Sequence, residues 1–263
     1  QARPYMPQAM LGRLFKKVAP PRPLDTARVP DGLRIYAIGD IHGRNDLLNR
    51  LLEKIATDDS ARNPANTQII FLGDLVDRGP DSAGVIETAM ALRASGKNVR
   101  FLMGNHEEIF LSACRKRDPK VTRYFLRIGG EATLLSYPIP RAEYIDLDME
   151  QLTERLATLV PESHLEFIES FEDQIIIGDY AFVHAGIRPG VPLSEQKPSD
   201  LRWIREEFVS QRGDLEKVIV YGHTIYQEVD ERGSRIGIDT GAYDSGKLTA
   251  LALEGAERWY LQT

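Results

Sequence analysis

From Arg34 onward, short apolar runs alternate with segments of helical periodicity. Arg34 to Ile38 reads as a strand, Leu47, Leu48, Leu51, Leu52 and Ile55 recur at helical spacing, and Thr67 to Leu72 reads as a second strand. The rhythm repeats through a helix opened by Pro80, a strand from Asn98 to Met103 and a helix beginning near Asn105. Two successive βαβ units predict an α/β sheet. Residues 118 to 170 break the rhythm with helices and turns, and read as an insertion or cap beside that sheet. The β signal returns at Gln174 to Ile177, Tyr180 to His184, Lys217 to Tyr221, Arg235 to Ile238 and Leu248 to Leu253. Several of these runs are separated by hairpin-length turns, so the second half predicts a second sheet, mixed or antiparallel.

Five of the apolar strands run straight into a polar cluster. They end in Gly39-Asp40-Ile41-His42, Gly73-Asp74, Gly104-Asn105-His106, His184 and Gly222-His223. In open α/β sheets ligands bind at the carboxyl ends of strands, and a glycine before the polar residue lets the backbone bend and approach closely. Asp40 and His42 are two apart, so an extended segment would send both side chains to the same side, where they could grip one ion.

Composition narrows the class without choosing a function. The 263 residues are 42% hydrophobic and 27% charged, which excludes wholesale disorder, collagen and a disulfide scaffold. Cys114 is the sole cysteine, so no intrachain disulfide can form, and a reducing cytoplasm is the simplest compartment. The best apolar run, Ile175 to Ile187, contains Asp179 and His184, which argues against a membrane span. The net charge of −6 divides unevenly. Residues 1 to 30 hold six prolines and six cationic side chains against Asp25, a basic arm of +5, and leave −11 for the domain spanning 31 to 263. An acidic body without an aromatic and basic stripe argues against nucleic acid as a partner.

Asp40, His42, Asp74, Asn105, His184 and His223 form a mixed imidazole, carboxylate and amide set that suits manganese, iron, cobalt or zinc at a catalytic centre. Six ligands exceed what one open ion takes and suit two, with Asp74, central in chain order, as the bridge. Two divalent ions roughly 3.5 to 4 Å apart can hold a bridging hydroxide and stabilise the entering and leaving oxygens of an in-line displacement, which is phosphoester hydrolysis. His106 is then the candidate acid for the leaving group, Asp77 a carboxylate that could orient it and raise its pKa, and Arg78 a planar fork for phosphate oxygens.

Each residue alone has a plainer reading, as an N-cap, a satisfied core histidine or a solvated arginine. The coincidence decides against it, since four of five histidines stand at strand ends beside glycine, aspartate or asparagine. His164 and Cys114 keep the plain reading. The stretch from Gly241 to Lys247 has the spacing of a phosphate-binding P-loop, but Leu248 replaces the required hydroxyl and a strand follows, so it reads as a hairpin turn.

The strings GDIHGR (39–44), GDLVDRGP (73–80), GNHEE (104–108), HAG (184–186) and GHT (222–224) resemble the metallophosphoesterases. More narrowly they resemble the phosphoprotein phosphatase (Ser/Thr phosphatase) family in its bacterial and phage-like branch, and residues 238 to 253 resemble its closing hairpin. The resemblance implies a calcineurin-like four-layer αββα sandwich, with two mixed sheets flanked by helices. It implies two divalent ions, manganese first with iron or zinc as alternatives. Asp40, His42 and Asp74 would hold one ion, and Asp74, Asn105, His184 and His223 the other. It implies His106 as acid with Asp77 behind it, and phosphate held by Arg78, Asn105 and a second arginine in Trp203-Ile204-Arg205-Glu206, placed at Arg205. The implied substrate is a phosphoserine or phosphothreonine protein or peptide, with phosphotyrosine as an extension. A symmetrical dinucleoside tetraphosphatase or phosphodiesterase on the same scaffold is the alternative. Asp77, Glu107 and Thr224 all depart from that alternative branch, and HAG departs from the HGG of eukaryotic members.

Overall fold

A computed structural model describes residues 24–213 and 215–263. Ten strands form two five-stranded sheets. They are β1 (Leu33–Ile38), β2 (Asn66–Phe71), β3 (Asn98–Phe101), β4 (Gln174–Ile177), β5 (Tyr180–Val183), β6 (Val218–Tyr221), β7 (Asp230–Arg232), β8 (Arg235–Gly237), β9 (Thr249–Glu254) and β10 (Glu257–Gln262). The first sheet has the order β10-β9-β1-β2-β3, the second β4-β5-β6-β8-β7. Strands β1, β2 and β3 are mutually parallel, as two βαβ units require.

The period-two alternation of the strands makes the layers. In β1, Ile35 and Ala37 face the second sheet, packing with Phe182, Val220 and Ile236, while Tyr36 and Ile38 face helices α1 (Asn45–Ser60), α2 (Ser82–Ala94) and α3 (Asn105–Lys116). In the second sheet, Ala181, Val183, Ile219 and Tyr221 turn outward to Leu201 and Phe208 from the short helices Pro198–Trp203 and Glu206–Val209. Helix, sheet, sheet and helix therefore stack in that order, two mixed sheets flanked by helices.

Three features depart from the sequence reading. Residues Leu248 to Leu253 belong to the first sheet, because β9 pairs antiparallel with β1 and β10 with β9. Their alternating apolar residues fit either sheet equally, so periodicity could not choose. The segment Gly241–Lys247 is accordingly no hairpin turn but a crossing between sheets, with a single helical turn, Ala242–Ser245, bounded by Gly241 and Gly246 at φ 67° and 72°. Within the segment read as an arm, Ala27 and Val29 are buried between the sheets with Ile175 and Tyr180, and the remainder of that arm, 1–23, lies outside the described residues.

Residues 118 to 170 fold as five helices between Pro119 and Glu169 joined by a kinked turn at Leu126–Gly130. They thicken the outer layer. Phe125, Leu134, Tyr137, Leu156 and Ile168 share one core with Phe110 and Ala113 of α3. Cys114 and His164 are buried in the same layer, the latter with Nδ1 3.0 Å from the Tyr137 hydroxyl. Burial pushes the Cys114 thiol up to about 12, which leaves it unreactive. Among the described residues no helix is long and apolar enough to cross a membrane.

Candidate metal centre

The five predicted polar clusters do converge. They follow β1, β2, β3, β5 and β6, and Asp40, His42, Asp74, Asn105, His106, His184 and His223 are all buried at the carboxyl ends of those strands. The glycines in front of them are steric necessities. A Cβ on Gly104 would collide with the Asp74 carboxylate, and one on Gly222 with that of Asp40. Gly222→Ala is therefore expected to cost about 1–3 kcal/mol of stability through overpacking and to displace Asp40. Unchanged thermal unfolding together with unchanged divalent-ion affinity would contradict this.

The backbone here is strained. Of six non-glycine residues with positive φ among those described, five are His42, Asp74, Asp77, Arg78 and His223. Such conformations persist only where surroundings over-determine them. Glu107, fully buried, supplies much of that restraint. Its carboxylate accepts from the backbone N–H of Asp74 (2.7 Å), Leu75 (2.7 Å), Val76 (3.3 Å) and Gly104 (3.0 Å), tying the loop after β2 to the turn before α3. The amides of Ile41 and His42 both donate to the Asp74 carbonyl, which anchors the loop after β1 to the same point. Thr133, from the helical insertion, accepts from the Asp77 N–H at 2.8 Å and donates to the Asp77 carboxylate at 2.7 Å, and Gly129 takes the Arg78 N–H.

Tautomers are set by the backbone. His42 Nδ1 donates to the Val76 carbonyl and His184 Nδ1 to the Leu72 carbonyl, each at 2.8 Å, leaving both Nε2 atoms to face the site. Asp74 lies between two histidine groups. Its Oδ1 is 3.3 Å from His184 Nε2 and its Oδ2 3.5 Å from His42 Nε2. Two sets have ligand atoms within 4.8 Å of one another, His42 with Asp74 and His106, and Asp74 with His184 and His223. Asn105 Oδ1 joins the second set, 3.0 Å from His184 Nε2.

Asp40 stands differently from the sequence expectation. The extended segment that would place it beside His42 does not form, because His42 is left-handed at φ 47°. Asp40 instead accepts the His223 N–H at 2.9 Å on Oδ2, while its Oδ1 is buried without a hydrogen-bond partner, as is His223 Nε2. Such orphans cost free energy unless something fills the gap. A carboxylate oxygen, an imidazole nitrogen and a shared aspartate are the donors a divalent cation takes, so the residues fit metal.

Electrostatics agree. Burial, then the charges of Asp239 and Asp74, holds the Asp40 carboxyl well above its ordinary range, and burial pushes the His42 imidazole down to about 3. Burial would raise Asp74 too, but His184 and His106 outweigh it and hold this carboxyl well below its ordinary range. Burial opposes charge on His106, yet the Asp74 charge and the hydrogen bond that the ring donates to Asp77 leave its pKa raised. Burial and the Asp74 charge lift Glu107 to about 7. Crowding that holds up the Asp40 carboxyl is what a bound cation would relieve, and His42 and His223, both depressed by burial, keep a neutral nitrogen for it, while Asp74 holds His184 and His106 up.

Around these residues, His106 Nδ1 is 2.6 Å from Asp77 Oδ2, and the Arg78 guanidinium spans His42 Nε2 at 3.0 Å and His106 Nε2 at 3.1 Å. Arg202 is occupied by Asp173 and Glu108. Arg205 is exposed and near enough for its charge to depress His223. Four residues of this neighbourhood had no site role in the sequence expectation, Glu107 having entered only as a mark of the family branch. Asp239 follows β8 as Asp40 follows β1, a strand-end signal that was there to be read. Nothing local showed what Glu107, Thr133 and Tyr243 would touch, because those contacts depend on distant partners.

Carboxylates, imidazoles and an amide gathered at the strand ends of a two-sheet sandwich define a candidate metal-dependent hydrolase. Residues 33–245 match the family model described as calcineurin-like phosphoesterase, and the chain belongs to that family, the metallophosphoesterases. It is 30% identical over 235 residues to the asymmetrical bis(5'-nucleosyl)-tetraphosphatase PrpE of Anoxybacillus flavithermus, covering 81% of this chain and 88% of that protein. It is 28% identical to serine/threonine-protein phosphatase 2 of Escherichia coli, covering 82% and 90%. In fold it is similar to the cold-active protein-tyrosine phosphatase of a psychrophilic Shewanella species, with a TM-score of 0.54, 19% identity and coverage of 90% and 84%.

Proposed function

We propose that the chain is a phosphomonoesterase acting on phosphoserine and phosphothreonine, and on phosphotyrosine, in protein or peptide substrates. Asp40, His42 and Asp74 would hold one divalent ion and Asp74, Asn105, His184 and His223 a second, with manganese first in expectation. When bound, the ions supply a water of lowered pKa and offset the charge of the phosphoryl group. Arg78, Arg205 and Asn105 hold the phosphate oxygens, Arg78 leaving its two imidazoles to do so. His106 donates from Nε2 to the departing oxygen, and Asp77 keeps the ring turned with Nδ1 behind it.

The observation that carries this reading is the 2.6 Å contact of His106 Nδ1 with Asp77, in a site where His106 Nε2 faces Arg78. A seryl or threonyl alkoxide is a poor leaving group that needs a proton, and a carboxylate-backed imidazole provides one. A nucleotide leaving from a polyphosphate chain needs it far less. Dinucleoside polyphosphate hydrolysis is nevertheless a second reading, supported by the relative at 30% identity that bears that name.

Phosphopeptides and dinucleoside polyphosphates, assayed side by side with added manganese, separate the two. Phosphate release from the peptides is expected to exceed dinucleotide cleavage, and the reverse order would replace the first reading with the second. In the same assay Arg205→Ala is expected to raise KM about tenfold or more, the size of one lost charge-assisted contact. Arg202→Ala is expected to lower thermal stability with a smaller change in KM, and the opposite pattern would move the phosphate contact to Arg202.

A further inference from the structure

Four large hydrophobic side chains are exposed among the described residues, and two of them, Ile225 and Tyr243, are on the loops that follow His223 and Asp239. Ile225 is 48% exposed and lies two residues beyond His223, while Tyr243 is 36% exposed and lies four beyond Asp239. The loops carrying them touch, since a Cβ on Gly241 would sit 3.1 Å from Ile225 Cγ2. The other two, Ile145 and Ile176, are on the helix Arg141–Asp146 and on β4.

Tyr243 is tied to the reacting groups. Its ring meets the His42 ring edge-on at 5.5 Å, and the Arg78 guanidinium lies 4.8 Å from its centroid. Arg78 in turn spans His42 and His106, so the tyrosine ring borders the phosphate fork while keeping over a third of its surface open. An exposed ring beside a polar, buried centre is a surface that a second planar group covers favourably, by stacking or edge contact.

Resting on the phosphomonoesterase reading, we propose that Tyr243 and Ile225 form an apolar ledge that receives an aromatic ring carried by the substrate beyond its scissile phosphate. The ring can come from an aryl phosphate, as in phosphotyrosine, or from a nucleobase; the shared chemistry is a planar face. Tyr243 supplies the facing ring and Ile225 closes the far side. The ledge therefore selects among substrates and takes no part in proton or phosphoryl transfer.

The test is a ratio of kcat/KM values measured with manganese in two arms, one peptide carrying phosphotyrosine or phosphothreonine, and a nucleoside 5'-monophosphate against ribose 5-phosphate. Using a ratio cancels leaving-group reactivity and any loss of Arg78 support common to both substrates. Tyr243→Ala is expected to lower the ring-to-ringless ratio about tenfold in at least one arm, mainly through KM, and that arm names the source of the ring. Tyr243→Phe is expected to keep the ratio, and Ile225→Ala to lower it about threefold. Ratios unmoved in both arms, or equal losses on ringless substrates, overturn the ledge while leaving the phosphomonoesterase reading standing. A wild-type chain that releases phosphate from none of the four overturns both.

Discussion

Asp74→Asn is expected to lower turnover about 10^3-fold or more and to reduce the divalent ions retained per chain, because one residue serves both ligand groups. An amide has nearly the volume of a carboxylate, so the fold should persist, but it carries no charge and offers one oxygen where Asp74 offers two. The two oxygens are used separately, Oδ1 toward His184 and Oδ2 toward His42. Losing several kcal/mol of metal-derived transition-state stabilisation corresponds to the expected fall in rate. Metal content by elemental analysis and affinity by calorimetry provide readouts independent of activity. A variant that keeps the wild-type metal content and rate would overturn the proposal that Asp74 bridges two ions.

His106→Asn is expected to slow phosphoserine or phosphothreonine peptides about 10^2 to 10^3-fold and p-nitrophenyl phosphate much less. The nitrophenolate leaves without a proton, whereas the alkoxide does not. Equal losses on both substrates would show that His106 acts in some other capacity, for instance as a metal ligand beside His42 and Asp74. Asp77→Asn gives a second test with a definite sign. The Asp74 and Asp77 charges hold the His106 pKa up against burial, and an acid must be protonated to work. Activity should therefore fall as pH rises through the His106 pKa, and removing the Asp77 charge should move that alkaline limb to lower pH. A limb that stays in place would detach Asp77 from His106. Thr133, which donates to the other oxygen of Asp77, makes the helical insertion part of this positioning.

Much of the candidate centre was legible in the chain, for a local reason. A buried parallel strand ending in glycine and a polar residue is a contiguous pattern, and each of the five clusters contains its own chemistry. Local sequence could not tell which cluster would meet which. Asp40 and His42 share a loop, yet the backbone at His42 is left-handed instead of extended, and Asp40 accepts the His223 N–H across the sheets. Glu107 reads as an ordinary first-turn helix acid, and its hold on the loop after β2 exists only because that loop is folded against α3.

The amino-acid order by itself determined the alternation of strands and helices, the sheet of parallel βαβ units, the strand-end placement of the chemistry and the resemblance to metallophosphoesterases. These follow from periodicity, glycine sterics and contiguous motifs, all written within a few residues of one another. Tertiary structure alone decided that Leu248 to Leu253 returns to the first sheet, that Ala27 and Val29 enter the core, and that Glu107 ties the loop after β2 to the turn before α3. It alone brought the Tyr243 ring to His42 and Arg78, and the Gly241 turn to Ile225. Such pairings join residues remote in sequence, and no local pattern encodes them because an apolar strand or an exposed ring fits several partners equally until the sheets close.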